Sequence, residues 1–249
     1  MKVAVFQYDI VWEDKEANKK KITALLDGVD MGGVEWMIFP EMCLTGFSMD
    51  TYKAELKEFD MNFFASLSKE YFCYTSFGGV LNKQNKLITL DKKGNVLDDY
   101  SKLHLFSYNK EHESYIPGHA EHFFKIDDLK IMPTVCYDLR FSSIYWYNAE
   151  DTDVFVVSAN WPESRRDHWL TLLKARAIEN QSYVIGVNRT GKSPELSYSG
   201  DSLIIDPFGN TVLDCESKEG VFVAEISRSH ITKVRRDFPF LADRLKKTS

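Results

Sequence analysis

The chain has 249 residues, of which 44% are hydrophobic and 14% aromatic, which suffices for a sizeable core and excludes a disordered chain. A formal net charge of -6 and a pI near 5.6 exclude the dominant basic stripe of a nucleic-acid binder, so no nucleic-acid partner is expected. Lys19-Lys20-Lys21 and Lys246-Lys247 then read as solvated faces. Cys43, Cys73, Cys136 and Cys215 are widely spaced, with no Cys-x-x-Cys unit and no secretory signal, which points to reduced thiols in the cytoplasm.

In chain order, Lys2 to Asp9 reads as a buried first strand; its apolar run Val3–Phe6 breaks at Gln7, too early for a signal core or a membrane span. Ile22, Leu25, Leu26 and Val29 recur at helical spacing before the Gly32-Gly33 break, and Trp36 to Phe39 returns to strand. A helix near Met61 to Tyr71 precedes strands near Tyr74 to Leu81 and Leu87 to Leu90, with the polar run Asn82 to Lys86 as their hairpin connection. Lys130 to Val135, Val154 to Ser158 and Tyr183 to Val187 read as strands, and Leu170, Leu173, Ala177 and Ile178 as a helix before the last of them. Asp201 to Ile205, a turn over Asp206 to Asn210, Val221 to Ile226 and a helix near Ser229 to Arg236 complete the order. No Pro, Gly or Ser tract interrupts it. The expectation is one domain over residues 1–249, of class α/β or α+β.

Three segments end an apolar run in a reactive residue: Glu41 after Trp36–Pro40, Lys102 within Asp99–Phe106, and Cys136 after Pro133–Val135. A thiol attacks as thiolate, so it needs a base to take its proton or a cation to hold its charge, and this set supplies both. Taken singly, each has a structural alternative: Cys136 as a buried small hydrophobe, Glu41 as a loop ion pair, Lys102 as a snorkelling residue on an edge strand. Ligands in α/β folds bind outside the carboxyl ends of strands, where Glu41, Cys136 and Asn160 would converge. His112, His119 and His122, with Glu111 and Glu121, match no zinc spacing and read as a polar loop; no metal and no cofactor is expected. Arg140, Arg165, Arg166 and Arg189 are candidates to grip an anionic substrate bidentately.

These segments together resemble the C-N hydrolase (nitrilase) superfamily: Phe39-Pro40-Glu41-Met42 its general-base segment, Tyr100–Phe106 its lysine segment and Val135–Phe141 its nucleophile segment. The likeness continues through Ala159-Asn160-Trp161-Pro162, His168-Trp169, Lys174–Asn180, Val187-Asn188-Arg189 and Gly200-Asp201-Ser202, nearly the whole chain, and is most similar to the bacterial omega-amidase branch. The resemblance implies a four-layer α-β-β-α sandwich and a cytoplasmic homodimer that hydrolyses the terminal amide of small 2-oxo acids through a Cys136 thioester. It implies Glu41 as base, Lys102 and the Tyr137 N–H as oxyanion donors, and a second glutamate, Glu111 in preference to Glu113. Tyr137, Arg140, Trp161 and Arg165 would bind substrate. A nitrilase or an N-carbamoyl amidase would use the same three residues, and a non-catalytic binding protein would retain only the fold. Phe141-Ser142 departs from the family pattern in lacking a proline after the Arg-Phe pair, which leaves the helix entry there open.

Overall fold

The computed structural model describes residues 1–244, so Lys246-Lys247 lie outside the described residues. The order is β1 (Lys2–Gln7), α1 (Lys15–Asp27), β2 (Trp36–Ile38), α2 (Thr51–Ala54), α3 (Glu58–Tyr71), β3 (Tyr74–Leu81), β4 (Gln84–Leu90), β5 (Val96–Ser101) and α4 (Glu111–Ser114). It continues with β6 (Phe124–Ile126), β7 (Leu129–Val135), α5 (Ser142–Asn148), β8 (Val154–Ser158), α6 (Arg166–Asn180), β9 (Tyr183–Val187), β10 (Thr190–Lys192) and β11 (Ser197–Ser199). The last elements are β12 (Leu203–Ile205), β13 (Thr211–Asp214), β14 (Gly220–Glu225) and α7 (Arg228–Asp237).

Two six-stranded sheets, ordered β14-β1-β2-β3-β4-β5 and β13-β12-β9-β8-β7-β6, stack face to face. Strand side chains alternate faces, so an unbroken apolar strand serves two interfaces at once. Val3, Val5, Trp36, Ile38, Ile131, Val135, Val154 and Val156 fill the space between the sheets. Ala4, Phe6 and Met37 face outward onto Ile22 and Leu26 of α1 and Phe64 and Leu67 of α3. Met132, Phe155, Val157 and Val184 face Ile144 and Tyr145 of α5 and Trp169, Leu173 and Ala177 of α6. The result is the four-layer α-β-β-α sandwich. Pro133 is tolerated inside β7 because the β6 ladder ends at Phe124↔Ile131, leaving residue 133 without a strand on that side.

Several details depart from the sequence reading. The hairpin turn uses only Asn82 and Lys83, both with positive φ (55° and 58°), so Gln84 to Lys86 belong to β4 and Asn85 is fully buried. β5 escapes the apolar pattern because Val96 and Leu97 are exposed at the sheet edge. Asp201 is left-handed (φ 56°), so strand β12 begins at Leu203 rather than at Asp201. Helix α5 forms without the proline: Phe141 adopts an extended N-cap conformation and its ring stacks on His104 at 3.7 Å. Lys19 is not a solvated residue. It is buried and contacts Asp60 at 2.8 Å and Glu16 at 2.7 Å, because α1 turns that side onto the buried Asp60 that opens α3. Among the described residues no helix is long and apolar enough to cross a membrane.

Candidate active site

The site forms where β2, β5, β7 and β8 end. Glu41 lies three residues beyond β2 (Trp36–Ile38), Lys102 immediately after β5, Cys136 immediately after β7 and Asn160 two residues past β8. Asn160 ties the two sheets together: its Nδ2 donates to the Glu41 carbonyl (2.5 Å) and its backbone N–H to Glu41 Oε2 (2.8 Å), while Ser158 Oγ donates to the Phe39 carbonyl (2.9 Å). The resulting cavity, about 210 Å³, is smaller than the ~300 to 1,000 Å³ of drug-sized sites and suits a small metabolite. Glu41, Lys102, Cys136 and Asn160 lie on its inner wall, and Tyr137, Arg140, Trp161 and Arg165 line it as well.

Lys102 is fully buried between two fully buried carboxylates, 3.0 Å from Glu41 Oε1 and 3.0 Å from Glu111. Burial alone would lower its pKa; Glu111 and Glu41 outweigh that and hold it above the ordinary lysine range. Of the two glutamates in this loop, Glu111 reaches Lys102, whereas Glu113 is exposed. An ionised carboxylate has about four lone-pair sites. Glu111 meets Lys102 Nζ and Asn85 Nδ2 at Oε1, and Lys102 Nζ and the Phe106 N–H at Oε2. Glu41 meets Lys102 Nζ and Asn85 Nδ2 at Oε1 but only the Asn160 N–H at Oε2. Oε2 of each carboxylate thus accepts a single hydrogen bond, and of the two glutamates Glu41 acts more strongly on the Cys136 thiol. Both carboxylates anchor the ammonium.

Cys136 sits at the sharp exit of β7 with φ 45°, a left-handed conformation that costs a non-glycine residue about 1 to 3 kcal/mol. Asp138 holds it there. Its buried carboxylate accepts from the Val135 N–H (3.1 Å) and Tyr100 Oη (2.7 Å) at Oδ2, and from the His104 N–H (2.9 Å) at Oδ1, with His104 Nδ1 also 2.9 Å from Oδ1. The nucleophile turn and the lysine segment are thereby fastened to one carboxylate. Burial and Glu41 push the Cys136 thiol above its ordinary range and Lys102 pulls it back, a balance that favours the neutral thiol.

The four arginines separate by partner. Arg189 is buried on Asp9 (2.7 Å) and the Ile10 and Lys192 carbonyls, and Arg166 grips Asp201 bidentately at 2.8 and 2.7 Å. Arg140 stacks over Trp161 at 4.8 Å and Arg165 over Phe106 at 5.4 Å; among the described residues neither has a carboxylate within ion-pair distance. Trp161 orders both, since its Nε1 donates to the Arg165 carbonyl at 2.7 Å. The histidine-rich stretch disperses: His112 and His119 are exposed and His122 pairs with Asp98 at 3.3 Å.

Sequence reading missed Asn85, placed in a turn, and Asp138, overshadowed by its neighbour Cys136. Gly78 also escaped notice, although its backbone abuts the Glu41 loop: a Cβ there would collide with the Glu41 Cα and lie 2.6 Å from the Pro40 carbonyl oxygen. Gly78→Ala presses directly on the loop that carries Glu41. A shift of about 1 Å can cost on the order of a hundredfold, so kcat of this variant is expected to fall at least tenfold in steady-state assays at unchanged secondary structure by circular dichroism. Wild-type kcat would show that the loop yields without moving Glu41.

A family model described as carbon-nitrogen hydrolase matches residues 2–236. The 2-oxoglutaramate amidase of Bacillus subtilis is 30% identical over 250 residues, covering 97% of this chain and 96% of that protein. Omega-amidase YafV of Escherichia coli is 33% identical over 252 residues, covering 98% and 96%. Among solved structures, XC1258 of Xanthomonas campestris, a CN-hydrolase superfamily protein with an arsenic adduct in its active site, superposes with a TM-score of 0.94 at 30% identity over 100% of this chain and 98% of that one. Nit3 of Saccharomyces cerevisiae shares the fold at 21% identity, with a TM-score of 0.85 over 96% and 94% of the two chains. The sandwich, the loops that close its cavity and these matches lead to one assignment: the chain belongs to the carbon-nitrogen hydrolase family.

Proposed function

We propose that the protein is an omega-amidase, which hydrolyses the terminal amide of 2-oxo dicarboxylic acid monoamides, with 2-oxoglutaramate and 2-oxosuccinamate as substrates, to the 2-oxo acid and ammonia. The observation that carries this reading is a small cavity with a thiol, a base and an ammonium on its inner wall and two guanidiniums without carboxylate partners, Arg140 and Arg165, also lining it. A substrate with an amide at one end and a carboxylate at the other fits that polarity. The names of the relatives from Bacillus subtilis and Escherichia coli support the same class.

Glu41 Oε2 takes the Cys136 proton as Sγ attacks the amide carbon. The oxyanion is held by the third N–H of Lys102 and the backbone N–H of Tyr137, at the start of the 3-10 turn Cys136–Arg140, where N–H groups lack intrahelical partners. Protonated Glu41 returns its proton to the leaving nitrogen, and ammonia departs from the Cys136 thioester. Glu41 then takes a proton from water, hydroxide adds to the thioester, and the carboxylic acid leaves as the thiol is restored. No metal and no cofactor enters these steps.

The test is ammonia release from 2-oxoglutaramate and 2-oxosuccinamate, with a simple nitrile and an N-carbamoyl amine as controls. Turnover of the oxo-acid amides alone is expected; preference for either control would move the substrate class. Arg140→Ala and Arg165→Ala are each expected to raise KM roughly 10- to 100-fold for these anions, the range of one charge-assisted hydrogen bond, with little effect on an uncharged amide.

The same reading extends to a single domain over residues 1–249, working in the cytoplasm, where its four free cysteines stay reduced. It also includes a homodimer. The rings of Phe208 and Phe238 lie 5.3 Å apart, tilted at 47° and each about half exposed; Ile178, beside Gly209, and Phe240 are exposed as well, whereas Leu241 of the same C-terminal segment is buried in its own chain. A monomeric mass by sedimentation would remove the dimer.

A further inference from the structure

We propose that Asn85 is a positioning residue of the reaction: its amide clamps Glu41 and Glu111 onto one ammonium and, by occupying Oε1 of Glu41, leaves Oε2 of Glu41 to take the Cys136 proton. The inference rests on the reading of Glu41 as base and Cys136 as nucleophile.

Asn85 is fully buried and reaches the site because the two-residue turn before it sets the β4 register, placing Lys86 opposite Ser101 and Asn85 beside Lys102. Its carbonyl accepts the Lys102 N–H at 2.9 Å. Its two Nδ2 hydrogens go to Glu41 Oε1 (2.7 Å) and Glu111 Oε1 (2.9 Å), and its Oδ1 has no hydrogen-bond partner among the described residues. The amide orientation is thus dictated by the two acceptors, since the reverse would set an oxygen against two carboxylates.

Two buried carboxylates sharing one ammonium carry a net negative charge, and such a pair relieves its repulsion by taking up a proton. A proton on Glu41 would occupy the lone pair that Cys136 needs. Donation from Asn85 to both anions opposes that uptake, and by filling Oε1 it steers proton transfer to Oε2. The groups facing this cluster are Lys102, Cys136, Tyr115 and Tyr198. Burial, reinforced by Glu111, pushes the Tyr115 phenol up, and burial pushes Tyr198 up, so both remain neutral over the working range. Asp50 and Glu55 also act on Tyr115, and Arg189 on Tyr198.

The experiment is the pH dependence of Cys136 alkylation by iodoacetamide, which needs no substrate, alongside kcat/KM on 2-oxoglutaramate. Asn85→Leu keeps the branched shape and removes both donors; the acid limb of the alkylation profile is expected to move to higher pH by roughly one unit or more. Asn85→Gln retains the amide and should leave the limb in place even where the rate falls. If Asn85→Leu does not fold, Asn85→Ser, which can donate to only one carboxylate, should give a smaller move in the same direction. Limbs that stay at the wild-type position in the Leu or Ser variant, with a uniform loss of rate or of thermal stability, would reduce Asn85 to a packing residue. A wild-type profile without an acid limb would overturn the Glu41 reading and this inference together. Inactivity on 2-oxoglutaramate with the limb shift intact would overturn only the substrate.

Discussion

Cys136→Ala is expected to abolish turnover of every amide substrate while leaving the fold and substrate affinity in place. In the proposed route the Cys136 sulfur forms the thioester, and Glu41 with water cannot replace it at a useful rate, so the loss should be at least about a thousandfold. Cys136→Ser should leave a trace, because a hydroxyl is a poorer nucleophile at neutral pH. The fold should tolerate both changes, since alanine and serine carry the same Cβ at φ 45° and the turn is held by Asp138 rather than by the thiol. Alkylation gives an independent check. Cys43, Cys73 and Cys215 are buried, and burial pushes their thiols up, to about 12 for Cys73 and Cys215. Rapid labelling should therefore reach one thiol in the wild type and none in Cys136→Ala. Ammonia release that survives in the alanine variant would eliminate the covalent route.

Strands were legible wherever a strand faces two apolar layers, as in Lys2–Gln7, Leu129–Val135 and Tyr183–Val187. They were illegible at the edges, where β5, β6 and β13 bury too little to leave a pattern. The reactive residues were visible for a chemical reason: a carboxylate, an ammonium and a thiol each interrupt an apolar run. What could not be read was how they are held. Asn85 is ordinary in a polar run, and its role exists only because two positive φ values tighten the preceding turn. Asp138 acts across 34 residues of chain on His104, a contact that no local spacing encodes. The choice between Arg140 or Arg165 and Arg166 or Arg189 likewise depended on distant carboxylates, Asp201 and Asp9, which remove the latter pair from service at the site.

Lys102→Ala is expected to lose at least a hundredfold in kcat and, unlike Cys136→Ala, to lose stability as well. The rate loss has a direct origin, since one well-placed oxyanion donor is worth roughly 3 to 4 kcal/mol of barrier. The stability loss follows from burial. Glu41 and Glu111 are both fully inaccessible, and removing the cation between them leaves uncompensated charge, which for a buried pair costs on the order of 3 to 5 kcal/mol. The pH dependence has a definite sign. Lys102 titrates above the ordinary lysine range in the folded chain, so its contribution is fully present below the unfolded value of about 10.4 and would be lost only as pH rises through the folded value. In the variant, a proton can replace the missing positive charge, so the gap in melting temperature between wild type and Lys102→Ala should be largest at neutral to alkaline pH and should narrow toward pH ~5. Glu41→Gln separates the two effects: it removes the base and one negative charge together, so its rate should fall as far while its melting temperature stays closer to wild type. Equal destabilisation in both variants would mean that Lys102 is held by packing, with Asn85 rather than the ammonium balancing the carboxylates.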